Sequence, residues 1–393
     1  MAAGTRPTAD IVARCQGLFD DLDFTAARAW KEALPGRRVV AYMPIYVPRE
    51  IIHAAGMLPL GILGGGENLE VIHGDAYYQS YICRIPRSTL ELGVTGKLGF
   101  VDGFLFPSIC DVIRNLSGIW KLLFPNVYVR YFDVPQNFAD GVGGRYYLQE
   151  LRELKEGLEH LGGAPISDQA LRASIAVHNE NRRLVRQVYA LRARSPWLAP
   201  TSEVYLLMRA GMVLPVEEHS RLLAEYLAAS AAEPRPMRDN CRVVLNGVFC
   251  EQPPLNLIKA IEMAGCYVVD DDFMLVTRWL LGDVDAAGDP LESLCAAFLH
   301  RSMENSAKYQ PSLAEKGKYI LDAVRDNAAE GVIFAAPSFC DPALLERPML
   351  ERRLDEVDVP HIGFKYAENS AQMQPVREQA GTFADSIKLW STP

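Results

Sequence analysis

The organisation of this chain follows from Asp102-Gly-Phe-Leu-Phe-Pro-Ser-Ile-Cys-Asp111, a short apolar run that ends in a cysteine and an aspartate. The residues after it, 112–124, carry apolar side chains at the spacing of an amphipathic helix. Asp111 can cap the first turn of that helix. Cys110 is therefore predicted to lie at the carboxyl end of a buried strand, beside a helix N-terminus. Open α/β sheets bind their ligands there, and amide N–H groups stabilise anionic groups.

The same pattern occurs again near the end of the chain, in Glu330-Gly-Val-Ile-Phe-Ala-Ala-Pro-Ser-Phe-Cys-Asp341. Both copies run from an acid and a glycine through apolar residues to proline, serine, a hydrophobic residue, cysteine and aspartate. A single cysteine at a strand end is usually a small buried hydrophobe. Two copies of the whole pattern indicate duplicated domains, each presenting a cysteine, Cys110 or Cys340, at its functional edge.

Length and charge limit the possible functions. The 393 residues exceed what one hydrophobic core usually holds, so two or three domains are expected. A formal net charge of −9 argues against nucleic acid or an anionic membrane as the main partner. No apolar run approaches the length of a membrane span, and the N-terminus lacks the apolar core of a signal peptide. The sequence predicts a cytoplasmic protein that binds neither membrane nor nucleic acid.

The eight cysteines do not have the pattern of a disulfide scaffold. In a reducing cytosol, cysteines with a special role are metal ligands or redox groups. The sequence contains no Cys-x-x-Cys motif, so any metal site has to combine distant segments. The glycine-rich stretch Gly64-Gly-Gly66 matches no nucleotide-binding fingerprint. We therefore expect the chain to have no nucleotide site of its own.

The apolar pattern divides the chain into four parts. Residues 1–36 are predicted to form a helical lead-in, and 145–238 a helical region that ends in a linker. Residues 37–144 and 239–393 each contain four short apolar strands separated by helical segments, which is typical of a flavodoxin-like parallel sheet. The last part also carries a mainly helical insertion and a C-terminal amphipathic helix. The expected fold class is α/β, with two flavodoxin-like domains and a helical region between them.

With these motifs the chain resembles the 2-hydroxyacyl-CoA dehydratase and benzoyl-CoA reductase family over nearly its full length. The motifs are Pro48-Arg-Glu-Ile-Ile-His-Ala-Ala-Gly-Met-Leu-Pro59, Cys83, Ser108-Ile-Cys-Asp111, the helices that contain Glu150 and Asn179/Asn181-Arg182, Asp270-Asp-Asp272 and Ser338-Phe-Cys-Asp341. The resemblance implies one [4Fe–4S] cluster held by three cysteines, with its fourth iron left for water, substrate or another ligand. Carried over residue by residue, the ligands are Cys83, Cys110 and Cys340, and Cys250 is their main rival.

Within the family, the resemblance is closest to the smaller catalytic subunit of the ATP-dependent reductases. It implies an iron–sulfur subunit that takes part in the two-electron reduction of the aromatic ring of benzoyl-CoA to a cyclic diene. The implied partners are a homologous catalytic subunit, ATP-hydrolysing iron–sulfur activator subunits, ferredoxin as the upstream electron donor, and an aromatic acyl-CoA substrate.

Two other functions stay open at this point. One is a subunit of a 2-hydroxyacyl-CoA dehydratase, which eliminates water through a ketyl radical. The other is a non-catalytic electron-relay or scaffold subunit whose paralogue binds the substrate. A dehydratase needs a group that assists departure of the hydroxyl, whereas a ring reductase needs a proton donor in a dry pocket. Nothing in one sequence tells those pockets apart.

A few other residues are weaker candidates. Glu50 is a possible active-site acid, although an acid in the first turn of a helix is more often a solvated residue stabilised by the helix dipole. Tyr77, Tyr78 and Tyr81 precede Cys83 and suit either the wall of an aromatic-substrate pocket or a subunit interface. The three acids at 270–272 are interpreted as an acidic loop at a strand end.

Overall fold

Eight strands in the described part of the chain build two parallel sheets. The computed structural model describes residues 7–248, 253–273, 278–301, 306, 310, 312–366 and 373–390. The strands are β1 (Val39–Tyr42), β2 (Leu58–Gly61), β3 (Gly103–Pro107), β4 (Tyr128–Phe132), β5 (Cys241–Asn246), β6 (Cys266–Asp271), β7 (Gly331–Pro337) and β8 (His361–Tyr366). The first sheet has the order β2-β1-β3-β4, and the second has the order β6-β5-β7-β8. Both follow the strand order of flavodoxin-like folds, so the predicted fold class is confirmed.

Helices cover these sheets and connect them. They are α1 (Pro7–Asp20), α2 (Thr25–Glu32), α3 (Arg49–Ala54), α4 (Arg84–Val94), α5 (Asp111–Leu123), α6 (Arg145–Gly162), α7 (Asp168–Arg194), α8 (Thr201–Ala210), α9 (Val216–Ala232), α10 (Leu255–Met263), α11 (Pro290–Arg301), α12 (Lys318–Asp326), α13 (Asp341–Asp355) and α14 (Gln374–Trp390). Within the described ranges, none of them combines the length and the apolarity that crossing a bilayer requires.

Burial explains why the central strands are so uniformly apolar. Every residue of β1, β3 and β7 is buried, as expected for parallel strands that have helices on both faces. Tyr42 of β1 pairs with Leu105 of β3, and Asn246 of β5 pairs with Phe334 of β7. Within each sheet, the segments that follow the two central strands therefore emerge side by side at the carboxyl edge.

The helical parts do not follow the sheets in simple order. Helix α1 contacts α8 and α9, and its Cys15 belongs to the same core as the second sheet. Helix α11 packs on the core of the first sheet, where the ring of Phe298 lies 4.3 Å from the ring of Tyr147. Helix α11, which belongs to the insertion of the second flavodoxin-like part, thus packs against the first flavodoxin-like part. The domain limits predicted from the sequence stay a prediction.

Candidate functional site

A cavity of about 330 Å³ is lined by residues that follow the central strands of both sheets. Met43 comes after β1 and Cys110 after β3, while Gly247 comes after β5 and Cys340 after β7. In each sheet these are the two strands between which the strand order reverses, the position where open α/β sheets bind ligands. The two sheets therefore present their binding edges to one shared cavity.

All three cysteines that were predicted as ligands line this cavity. Each one immediately precedes a helix: Cys83 precedes α4, Cys110 precedes α5, and Cys340 precedes α13. The first N–H groups of a helix have no partner within it and carry partial positive charge, which favours anionic ligands. The structure thus places three cysteines, each directly before a helix, in the lining of one cavity.

The surroundings of Cys110 show how such a sulfur is held. Burial raises the pKa of its thiol, while the backbone N–H groups of Val112 and Ile113 act in the opposite direction by donating to the sulfur. Hydrogen bonds of this kind to cysteine sulfur help to set the potential of an iron–sulfur cluster. The amphipathic helix predicted after Cys110 is confirmed as α5.

The turn that presents Cys340 is strained. Phe339 has a φ of 71°, in the left-handed region that large side chains rarely adopt, and its side chain is exposed while lining the cavity. Such a conformation costs roughly 1–3 kcal/mol and persists only where the surrounding structure imposes it. Strain of this kind is common at functional sites.

The donor set fits an iron–sulfur cluster. Cysteine thiolates are the usual ligands of such clusters, and each one binds a different iron, so the sulfurs stand well apart. Over the described ranges, no three His, Cys, Asp or Glu side chains are grouped closely enough to hold a single metal ion. Three cysteines around one cavity are the residue type and number that a cluster with three protein ligands requires. Cys250, the predicted rival ligand, lies outside the described residues.

The second sheet contributes a buried acid to the same cavity. Asp272 directly follows β6 and is only 6% exposed. Its Oδ2 accepts a hydrogen bond from Asn246 Nδ2 at 2.8 Å, and its Oδ1 accepts one from the backbone N–H of Gly247 at 2.6 Å. Burial raises the pKa of Asp272 to about 7. At neutral pH this carboxyl is therefore protonated in a large fraction of molecules.

The two acids before Asp272 have a different role. Asp271 is paired with the fully buried Arg192 at 2.6 Å, and Asp270 with Arg278 at 3.0 Å. Only the third acid of 270–272 lines the cavity. The interpretation of all three acids as a loop at a strand end is therefore wrong for Asp270 and Asp271, which are the last two residues of β6, and holds only for Asp272. The sequence feature that could have singled out Asp272 is its position directly after the strand that neighbours β5.

Glu50 does not line the cavity of the three cysteines. It is 3% exposed, and its Oε1 accepts a hydrogen bond from Arg182 Nη1 at 2.5 Å. Burial acts to raise the pKa of Glu50, but Arg182 and other polar neighbours lower it to about 2. The expectation of a solvated helix-start acid is therefore wrong, because a cation far along the chain covers it. The role of active-site acid stays a prediction, and this geometry favours a structural ion pair.

The three tyrosines before Cys83 do not form one wall. Tyr81 is exposed and lines the cavity, whereas Tyr77 is exposed elsewhere. The hydroxyl of Tyr78 is buried, and its pKa is raised by burial and by the nearby sulfurs of Cys83 and Cys110. The predicted aromatic wall thus reduces to Tyr81 at the cavity and Tyr78 behind the sulfurs.

Two buried histidines should make the fold sensitive to acid. His178 and His219 are each 1% exposed, and burial lowers the pKa of each to about 3. The unfolded chain binds a proton at each of them near pH 6.5, whereas the folded chain does not. We expect the free energy of unfolding to fall between pH 7 and pH 5, by about 2 kcal/mol per histidine at pH 5. Urea unfolding at both pH values measures this.

The variant His178→Gln provides the control for this prediction. It should remove the share of His178 from the pH dependence, whatever it does to the stability at pH 7. A pH dependence identical to that of the unaltered protein would contradict the assignment of His178 as a neutral buried histidine.

Comparison with known proteins places this arrangement in a family. Residues 44–387 match the family model described as 2-hydroxyglutaryl-CoA dehydratase, D-component. The chain belongs to this family. The matched residues include the cavity residues that follow β3, β5 and β7 and, after β1, Pro44.

Relatives of this chain come from both reductases and dehydratases. A benzoyl-CoA reductase subunit of Thauera aromatica is 71% identical over 384 residues, which are 98% of this chain and 100% of the relative. The (R)-phenyllactyl-CoA dehydratase beta subunit of Clostridium sporogenes is 27% identical over 90% of this chain and 92% of the relative. The (R)-2-hydroxyglutaryl-CoA dehydratase subunit beta of Acidaminococcus fermentans is 28% identical over 90% of this chain and 93% of the relative. The resemblance drawn from the motifs is therefore confirmed, and the chain is a homologue of an oxidoreductase subunit.

Proposed function

We propose that this chain is the iron–sulfur subunit of an ATP-dependent benzoyl-CoA reductase, which reduces the aromatic ring of benzoyl-CoA to a cyclic dienoyl-CoA. The observation that carries the proposal is the 71% identity with the benzoyl-CoA reductase subunit of Thauera aromatica over 98% of this chain. The cavity with Cys83, Cys110 and Cys340 supports it, because three thiolates at helix N-termini suit one [4Fe–4S] cluster.

The chemistry of the proposed substrate explains this choice of site. Adding an electron to an aromatic ring breaks its aromaticity, so the donor must have a very low potential. When bound, a cluster of this kind supplies such electrons, since iron–sulfur potentials reach about −700 mV. The protein's own task is to exclude water, which drains electrons and protonates intermediates. Apolar side chains of the lining, among them Met43, Ile113 and Leu350, serve that purpose.

The proposed partners follow from the same interpretation. The relatives are named as subunits, which supports assembly with a homologous catalytic subunit. The sequence has no nucleotide-binding motif, so we assign ATP hydrolysis to iron–sulfur activator subunits that receive electrons from ferredoxin. An aromatic acyl-CoA is the proposed substrate, and the cytoplasm is the proposed location.

A dehydratase subunit is the second candidate function. It is supported by the description of the matching family and by the dehydratase subunits at 27% and 28% identity. An electron-relay or scaffold role is the third, since the same three cysteines can hold a cluster that passes electrons to a neighbouring subunit. These functions differ in the reaction that the complex catalyses and in whether this chain's cluster is needed for it.

A substrate comparison tests the proposed function. The complex that contains this chain, given ATP, a strong reductant and benzoyl-CoA, should form a cyclic dienoyl-CoA. The thioester is conjugated to the ring and lowers the energy of the first reduction, so free benzoate should not react. With a 2-hydroxyacyl-CoA the complex should form little enoyl-CoA. Product analysis by chromatography and mass spectrometry measures all three reactions.

Omission of ATP is the control for this comparison, and it should stop ring reduction. Faster conversion of the 2-hydroxyacyl-CoA than of benzoyl-CoA would favour the dehydratase function instead.

A further inference from the structure

Ring reduction needs protons as well as electrons. A benzoyl thioester that becomes a cyclic diene takes up two electrons and two protons. In a cavity from which apolar side chains exclude water, a proton must come from a group in its wall. The candidates for this role are the acids that line the cavity, and Glu50 is not among them.

Four acids line the cavity within the described ranges: Asp111, Asp272, Asp341 and Glu346. Asp111 and Asp341 are exposed first-turn residues of their helices. Glu346 is paired with Lys316, whose Nζ lies 2.5 Å from its carboxylate. Asp272 differs from all three, because it is almost completely buried and no cation lies within ion-pair distance of it among the described residues.

Some neighbours of Asp272 favour its ionised carboxylate, and others favour its protonated carboxyl. Asn246 and the Gly247 N–H donate to its two oxygens and favour the carboxylate. Asn246 Nδ2 also donates to the hydroxyl of Tyr319 at 3.0 Å. Two charged groups also act on Asp272: Asp271 disfavours its carboxylate, and Arg278 favours it. The buried Tyr319 faces both Asp272 and Glu346. Burial outweighs the favourable contacts and gives the pKa of about 7, which suits a general acid at neutral pH.

We propose that Asp272 is the proton donor for the acyl-CoA that is reduced in this cavity. This inference rests on the proposed function and adds the residue that supplies a proton. The O–H bond of the Asp272 carboxyl breaks and a C–H bond forms at a ring carbon. The ring is reduced by two electrons, which come from the low-potential iron–sulfur donor. Asp272 gives one proton and the solvent gives the other, and water then returns a proton to the Asp272 carboxylate.

The variant Asp272→Asn tests this in the assembled complex. It keeps the shape of the side chain but has no acidic proton, so turnover should fall about 100-fold or more with little change in KM. Iron content and the electron paramagnetic resonance spectrum should stay unchanged. In the unaltered complex, kcat should fall as the pH rises above about 7, because Asp272 then ionises. The residual rate of the variant should not follow that ionisation.

Two further variants make the test specific. Asn246→Ala removes a donor that favours the carboxylate, so it should shift the alkaline fall of kcat to higher pH. Glu262→Gln is the matched control, because burial also raises the pKa of Glu262, which accepts a hydrogen bond from the Ser202 N–H outside the cavity. This control should leave turnover and its pH profile unchanged.

A measurement independent of turnover separates this inference from the proposed function. A reduced cluster favours a protonated neighbour, so its reduction potential should become more negative between pH 6 and pH 8. In Asp272→Asn that pH dependence should largely disappear. Suppose that the unaltered complex makes no dienoyl-CoA, but the pH dependence of the reduction potential still differs between it and Asp272→Asn. The proposed reaction would then be wrong, whereas the assignment of Asp272 as the acid near the cluster would be supported.

Other results would overturn the role of Asp272. One is unchanged turnover of Asp272→Asn in a complex that reduces benzoyl-CoA. Asp272→Glu, which keeps a carboxyl, should retain iron and recover part of the turnover. If Asp272→Glu and Asp272→Asn lose iron alike, Asp272 is a structural residue of the cavity and not its acid.

Discussion

Replacing Cys340 with serine should remove or convert the proposed iron–sulfur cluster of this chain and abolish the proposed ring reduction by the complex. Cys340 is the cysteine that the second sheet contributes to the cavity, so the two cysteines of the first sheet would have to hold the cluster alone. After anaerobic purification we expect about four irons and four sulfides per unaltered chain. Iron and sulfide analysis, together with the electron paramagnetic resonance spectrum, should show the loss in Cys340→Ser.

Cys295→Ser is the matched control for this experiment. Cys295 is also buried, but its thiol donates to the carbonyl of Gly144 and lies outside the cavity. This variant should keep its iron and its activity. Normal iron content and a normal spectrum in Cys340→Ser would contradict the assignment of Cys340 as a cluster ligand. Loss of iron with full turnover would instead identify the chain as a scaffold.

Replacing Arg182 with methionine should lower the free energy of unfolding by about 3–5 kcal/mol. The change removes the cation that neutralises Glu50 but leaves the carboxylate buried without its partner. It also removes the hydrogen bond that Arg182 Nη2 donates to Asn179 Oδ1 at 2.5 Å. Urea unfolding followed by circular dichroism measures the loss.

Arg183→Met and the double variant Glu50→Gln/Arg182→Met complete that experiment. Arg183 pairs with Asp283 at the surface, and such pairs contribute only about 0–1 kcal/mol. The double variant removes both buried charges and should regain much of the lost stability. Equal losses for Arg182→Met and Arg183→Met would show that burial of the Glu50 pair has no energetic consequence. Normal turnover of Glu50→Gln would end its candidacy as an active-site acid.

The fold could be predicted from the sequence because its signals are local. Buried parallel strands are continuous apolar runs, and the repeated cysteine motif marks the same strand in each sheet. The start of α4 at Arg84 is harder to predict, because a proline at position 86 usually indicates a break in a helix. Pro86 fits inside that first turn, where an N–H has no partner within the helix. Cys83 thereby becomes the residue before a helix, like the other two cysteines.

The parts of the site that the sequence did not reveal depend on distant contacts. The partner of Glu50 is Arg182, on a helix far along the chain, so the first-turn pattern around Glu50 could not indicate its burial. The environment of Asp272 likewise depends on Asn246 and Gly247, which follow a different strand. Three consecutive acids look equivalent in sequence, and only the packing of β6 against β5 separates them.

The origin of the three cysteines from both sheets has a consequence for the lifetime of the protein. Cys83 and Cys340 enclose about two thirds of the chain, so a cluster bound to both closes a very long loop. Such a closure restricts the unfolded chain as a disulfide does, and a group that binds only the folded chain stabilises it further. If oxygen destroyed the proposed cluster, the link between Cys83 and Cys340 would be lost as well. Protein molecules without the cluster would then unfold more often and be degraded faster than molecules that keep it.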